Sequence, residues 1–347
     1  MNRRALLKGA ATLPLLATAS MGQSSPTTPF PAKRIKPARL TAGDTVGLIA
    51  PASGLKPESF DQAVQKIESL GFKTKVGKYA RGLHGVFSGT DAERAHDLHW
   101  AFADAEVRAV WCIRGGDGAP RILPTVDFDL IRKNPKIFVG YSDITALHTA
   151  IHQNCGLVTF HGPVGISGFS DYAKQHVLNV LMNPTAPYKI EISEGNRAKT
   201  SEFFRTEVIT AGKARGPLIG GNLSLLTALA GTPWALTQMK GKILFLEDID
   251  EQPYRVDRML TQLRQSIDMR SLAAVALGVF DGCKATEQKP SPPLIEVVKD
   301  RLGDLGIPVI YGLSFGHIRD QFTLPIGIEA ELDTSTAILT LLETGVT

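Results

Sequence analysis

Apolar positions along this chain recur in two periods, one of buried strands and one of helices. Residues 45–50 (TVGLIA) form a continuous apolar run that ends at Pro51, the pattern of a buried strand. Residues 57–70 then set Phe60, Val64, Ile67 and Leu70 on one helical face, and Gly71 stops the helix. A short strand is predicted over 73–79. Thr90-Asp91-Ala92-Glu93 has the form of a capping box, so a helix starts there and runs to about Asp104. Residues 109–113 read as a strand, broken by Arg114-Gly115-Gly116-Asp117-Gly118. Residues 137–140 are another, followed directly by a helix over about 143–153, and 158–160 are a further strand. Strands alternating with helices imply βαβ units and a mostly parallel sheet.

From 168 to 212 this rhythm lapses, with Pro184, Pro187 and mixed polar residues, and residues 176–212 read as an interdomain connection. A second alternating block follows. Asn222 can cap a helix running through Ala230, with Gly231 just past its end. Strands are predicted over 242–246, 274–280 and 308–313. Val256, Leu260, Leu263 and Ile267 share one helical face, and Leu294, Val297, Val298 and Leu302 mark a helix ending near Gly306. No internal repeat or low-complexity tract interrupts the two blocks. The expected organisation is an N-terminal α/β domain over 40–175 and a C-terminal domain over 213–347. A chain of 347 residues suits two domains.

The first 23 residues stand apart. Arg3, Arg4 and Lys8 precede or open an apolar stretch from Ala5 to about Ala19, and Ala17-Thr18-Ala19 offers a small-residue cleavage site. The pattern predicts a secretory signal peptide over 1–23, and the twin arginine resembles a Tat signal. It is too short for a stable membrane span of ~20 residues. A periplasmic or secreted protein is expected, with 24–39 as a Pro- and Lys-bearing leader. These three basic residues also account for most of the net charge of +4, leaving 35 basic against 34 acidic residues beyond the signal. Such a balance carries no general attraction for nucleic acid or an anionic membrane, and no stable membrane insertion is expected. Cys112, Cys155 and Cys283 lie far apart with no C-x-x-C pair, which argues against a thiolate zinc site.

Ser142 in Phe138-Val139-Gly140-Tyr141-Ser142-Asp143-Ile144-Thr145 stands where a strand turns into a helix. A serine on that bend projects its hydroxyl, and the Asp143 N–H that opens the helix points the same way. One turn can supply a nucleophile and half an oxyanion hole. An N-cap serine is the plainer reading, and the G-x-S-x-G elbow is incomplete because Ile144 replaces the second Gly. The 114–118 loop also follows a strand, and strand C-terminal ends share one sheet edge, so it can meet Ser142 there. Gly116 is a candidate second oxyanion donor, with a tight turn or a phosphate cradle as competing readings.

A serine nucleophile needs a base and an orienting acid. Of eight histidines, His317 lies just past a strand, while His84 and His161 are expected in Gly-flanked loops. His96 and His99 form an H-x-x-H without a nearby third ligand, so a solvated helix face is expected. His148, His152 and His176 read as helix-surface or core residues. Glu247 ends an apolar strand, where a carboxylate is costly unless paired, and Asp248 and Asp250 serve nearly as well on spacing.

Several segments together resemble the LD-carboxypeptidase family of serine peptidases, which also contains microcin-immunity peptidases. They are TVGLIAPAS (45–53), RGGDG (114–118), VGYSDITALH (139–148), GPLIGGNLSL (216–225), LFLEDIDEQPYRVDRML (244–260) and GHIRDQFTLPIG (316–327). The resemblance implies a flavodoxin-like N-terminal domain, similar to class I glutamine amidotransferase domains, and a smaller swivelling β/α C-terminal domain. It implies a triad of Ser142, Glu247 and His317, with the Gly116 and Asp143 N–H groups as the oxyanion hole and no metal or organic cofactor. A homodimer is implied too. The expected reaction is release of terminal D-Ala from murein tetrapeptide through an acyl-enzyme. The alternatives are a microcin-immunity-like peptidase cleaving an acyl-amino-acid or peptidyl-nucleotide conjugate, and a non-catalytic muropeptide-binding protein. Asp117 departs from the Tyr common in the family at that position. Asp117, Asn222, Arg255 and Arg319 are the candidate substrate-binding residues, the two arginines for a product carboxylate.

Overall fold

A computed structural model describes residues 33–347, so the expected signal segment and most of the leader lie outside the described residues. The chain opens with β1 (Thr45–Ile49), α1 (Pro57–Glu68), β2 (Lys73–Val76), α2 (Asp91–Ala103) and β3 (Val107–Cys112). Short helices α3 (Ala119–Ile122) and α4 (Phe128–Lys133) lead to β4 (Ile137–Gly140), α5 (Thr145–Cys155), β5 (Thr159–His161) and α6 (Asp171–Leu181). Next come β6 (Tyr188–Ile190), α7 (Glu194–Arg197), β7 (Glu207–Thr210), β8 (Lys213–Asn222), α8 (Leu223–Ala228), β9 (Ile243–Ile249) and α9 (Pro253–Ser266). The last elements are β10 (Ala274–Asp281), α10 (Leu294–Leu302), β11 (Val309–Tyr311), β12 (Leu324–Ile326), β13 (Glu329–Asp333) and β14 (Ile338–Leu341).

Local chemistry accounts for the helix starts. Pro57 opens α1, where its missing N–H costs nothing, and Phe60, Ala63 and Ile67 are its buried face. At α2 the Thr90 hydroxyl accepts the Glu93 N–H at 3.3 Å and the Glu93 carboxylate accepts the Thr90 N–H at 2.8 Å. This is the expected capping box, a device worth about 1 kcal/mol. Asn222 caps α8 by accepting the Leu225 N–H at 3.2 Å.

The strands form two mixed sheets. One runs β12-β5-β4-β3-β1-β2, parallel throughout except for antiparallel β12. The other runs β6-β14-β13-β8-β9-β10-β11-β7, with a parallel centre from β8 to β11 and antiparallel strands on both flanks. The central strands are largely buried and apolar, as parallel strands under helices are, with Arg108 of β3 and Glu247 and Asp248 of β9 as exceptions.

Three stretches differ from their sequence reading. Residues 176–212 are not an irregular connection: they complete α6 and supply β6 and β7, opposite edges of the eight-stranded sheet. Strands of three or four residues are too short to establish a period, and their partners β14 and β11 lie far along the chain. Residues 213–222 form a ten-residue strand that Pro217 and three glycines disguise. Gly220 is required there, because a Cβ would sit 1.9 Å from the Phe245 carbonyl oxygen. Third, β12 leaves the C-terminal block and pairs with β5 of the other sheet.

Candidate active site

The six-stranded sheet gathers one half of the site at its strand C-terminal ends. Ser53 follows β1, the 114–118 loop follows β3, and Ser142 follows β4. Ser142 has φ +64, a left-handed conformation rare for any residue but glycine and a strain of order 1–3 kcal/mol. That bend turns the chain from β4 toward α5. Gly115 lies against it: a Cβ there would stand 3.1 Å from the Ser142 Oγ. The Ser53 N–H donates to the Gly115 carbonyl at 3.3 Å, and the Ser53 hydroxyl accepts the Asp117 N–H at 3.0 Å. Gly116 has φ +100 and no room for a side chain, since a Cβ would meet the Ser53 Oγ at 2.4 Å. Among the described residues, neither the Gly116 nor the Asp143 backbone N–H donates to a protein acceptor.

The eight-stranded sheet supplies the other half. Glu247 lies in β9, fully buried, and its Oε2 is 2.7 Å from Nδ1 of His317. His317 sits on the loop between β11 and β12, anchored by a bridge between Gly316 and Val279 of β10. The His317 ring packs on the Tyr141 ring with centroids 4.7 Å apart, which brings it beside the residue preceding Ser142. The sheets are joined close by, where the Thr145 hydroxyl accepts the Asn222 N–H at 3.0 Å.

Electrostatics favour an ion pair at Glu247 and His317. Burial opposes charge on both groups, but each stabilises the other's charged form. The net result holds the Glu247 carboxyl below its usual range and raises His317 above its ordinary value of 6.5. Asp143 is buried too, and burial pushes it up to about 7 even though its carboxylate accepts the Ala119 N–H at 2.6 Å.

The other acidic and histidine candidates lie apart from the Glu247–His317 contact. Asp248 is turned to α8 instead, accepting from the Ser224 N–H at 2.9 Å and the Asn222 amide at 3.0 Å. Asp250 takes a turn conformation with φ +56. His84 sits in a short surface turn closed by Phe87. His161 is not in a loop but ends β5, fully buried, and burial lowers it to about 4. His99 accepts the Asp127 N–H at 2.9 Å through Nε2, whereas the His96 ring is half exposed. Among the described residues, no three His, Cys, Asp or Glu side chains stand close enough to share a metal. All three cysteines are buried free thiols.

Comparison with known proteins matches residues 46–162 to the LD-carboxypeptidase N-terminal domain and residues 215–332 to the LD-carboxypeptidase C-terminal domain. The chain belongs to the LD-carboxypeptidase family. It is 45% identical over 300 residues to a probable murein peptide carboxypeptidase of Bacillus subtilis, covering 86% of this chain and 92% of that one. It is 30% identical over 322 residues to the Microcin C7 self-immunity protein of Escherichia coli, covering 85% and 92%. The crystal structure of a muramoyltetrapeptide carboxypeptidase from Oxalobacter formigenes superposes with a TM-score of 0.75 at 30% identity, covering 87% of this chain and all of that one.

For this LD-carboxypeptidase family member, the expected substrate-binding residues fall in different places. Asp117 is exposed on the glycine loop beside Ser53. Asn222 is buried with both side-chain ends engaged, as the α8 cap and as donor to Asp248. Arg255 is exposed on the first turn of α9, donating to the Tyr254 hydroxyl at 3.1 Å and facing Glu251 at 3.5 Å. Arg319 is exposed two residues beyond His317, in a surface pocket with Lys199, Asp171 and Tyr172. Sequence reasoning missed Tyr141, Ser53 and Arg94. The buried Arg94 guanidinium donates to the Pro51 and Gly118 carbonyls at 2.7 Å each, clamping the glycine loop. Only their nearness to the motifs signals them.

Proposed function

We propose that the protein is a serine LD-carboxypeptidase that releases terminal D-Ala from murein tetrapeptide. The observation that carries this reading is the buried Glu247–His317 pair at 2.7 Å packed on the residue preceding a serine with φ +64. The names of the Bacillus and Oxalobacter relatives support the substrate.

In this mechanism Ser142 attacks the carbonyl of the bond to D-Ala, and His317 Nε2 takes the serine proton. Glu247 holds Nδ1 in the protonated tautomer and stabilises the imidazolium. The Gly116 and Asp143 N–H groups receive the oxyanion, each worth roughly 3–4 kcal/mol in sites of this type. His317 then protonates the departing amine of D-Ala, and water, activated by the same histidine, releases the acyl group.

The same reading includes the finer architecture. The strand order β2-β1-β3-β4-β5 supports a flavodoxin-like first domain, and the family resemblance supports a smaller swivelling second domain. Export by the Tat-like segment at 1–23 and a homodimer complete the proposal; the sequence pattern supports the first and the family resemblance the second.

The test is incubation of the mature chain and of Ser142→Ala with purified tetrapeptide, read by mass spectrometry. Loss of one alanine with the parent chain alone is expected. Cleavage by both would remove Ser142 as nucleophile. Cleavage of an acyl-amino-acid nucleotide conjugate but not of tetrapeptide would favour the microcin-immunity alternative, which the Escherichia coli relative motivates. Tight binding without acylation would point to a muropeptide-binding protein.

A further inference from the structure

An enzyme that removes one residue from a free C-terminus has a carboxylate close to the bond it cuts. The carbonyl under attack and the terminal carboxyl are separated by one residue, so they lie within about 4 Å of each other. A cation that recognises this carboxylate therefore has to stand beside the oxyanion loop.

The cations around the site are mostly committed. Arg94 is buried on two carbonyls and also pairs with Asp91, and Arg121 pairs with Asp91 at 3.0 Å. Arg255 is bonded to its neighbours Tyr254 and Glu251. Arg114 differs. It is half-buried at the foot of the glycine loop, and its Nε lies 3.6 Å from the point where a Cβ of Gly116 would stand. Nη1 makes a long hydrogen bond of 3.2 Å to the Gly54 carbonyl, which orients the group without neutralising it. Nε is buried and has no protein acceptor. Among the described residues no carboxylate pairs with it, not even Asp117 three positions along the same loop. A half-buried guanidinium, held at one corner and otherwise uncommitted, matches a carboxylate through its fork of donors.

We propose that Arg114 binds the terminal carboxylate of the substrate and so makes the enzyme a carboxypeptidase and not an endopeptidase. The assignment rests on the carboxypeptidase reading above. It is a specificity role: Arg114 fixes the leaving D-amino acid, and Ser142 and His317 act on the bond.

The experiment compares kcat/KM on tetrapeptide and on the same peptide ending in D-alaninamide, for the parent chain, Arg114→Gln and Arg114→Lys. Glutamine keeps an N–H donor near the position of Nε but carries no charge. The parent chain is expected to prefer the free acid. Arg114→Gln should lose roughly 30- to 100-fold on the acid, mainly through KM, the range expected for one charge-assisted contact. Its rate on the amide should stay within about threefold by the same reasoning, and Arg114→Lys should recover part of the preference. An equal loss on both peptides would make Arg114 a loop brace and overturn the assignment. So would a preference for the acid that survives in Arg114→Gln, or no preference in the parent chain. A parent chain that cuts neither peptide would instead overturn the carboxypeptidase reading and this assignment with it.

Discussion

At the scale of single residues, the chemistry turns on one buried carboxylate. Glu247 is buried away from solvent, so its charge depends on His317 at 2.7 Å, and the histidine's raised basicity depends on Glu247. A general base works only when neutral. With His317 raised above 6.5, kcat/KM should fall as pH drops through a value above 6.5. Glu247→Gln removes the charge that favours the imidazolium, so this acidic limb should move to lower pH. The same change leaves the imidazole free to take the wrong tautomer, and kcat should fall by roughly 10³- to 10⁴-fold. A pH–rate profile of both proteins checks this, and an unmoved limb would mean that His317 is not the base. The residue types and their strand-end positions were legible in the sequence. The choice of Glu247 over Asp248 was not, because adjacent strand residues point to opposite faces and only the packing of α8 shows which face Asp248 takes.

At the scale of elements, the loops after the strands do the positioning, and glycines let them approach. Gly316 has φ +116, and a Cβ there would stand 2.7 Å from the Val279 carbonyl of β10 and 3.2 Å from the Glu247 Cβ. Gly316→Ala should therefore displace the His317 loop from Glu247. A loss of about 1–3 kcal/mol in stability is expected from the backbone conformation alone, with a fall in kcat beside it. Gly306→Ala is the matched control: its φ is +73 but nothing lies within 4 Å of the added carbon. It should lose stability and keep its kcat, as thermal melts and initial rates would reveal; equal kcat in both variants would contradict the positioning role. The capped and amphipathic helices were readable because their signals lie within one or two turns. β8 was not, because Gly220 answers to the close approach of β9 and Gly221 to Thr145 of α5, partners met only in the fold.

At the scale of the whole molecule, the two sheets are not laid end to end along the chain. β12 returns from the second block to extend the first sheet, covering β5 with Leu324 and Ile326. Residues 34–37 are tied to the last residues as well: Glu343 pairs with Arg34 and Lys36, and the Thr347 N–H donates to the Pro37 carbonyl at 2.9 Å. A fragment of residues 33–212 would keep β1 to β5 but lose β12, and would leave β6 and β7 without β14 and β11. It should show no cooperative thermal transition and little near-ultraviolet dichroism, whereas the full described chain should show both. A cooperative melt of the fragment would show that the first sheet stands alone. By itself the sequence determined the α/β alternation, the helix caps and the strand-end loops with the residue types they carry, since each is written within a dozen neighbouring positions. The tertiary structure decided which strands join which sheet, which acid meets His317, and which arginine stands uncommitted beside Gly116. Those outcomes depend on contacts such as Glu247 with His317, 70 positions apart, and such contacts exist only once two sheets have buried their apolar faces and brought their strand ends together.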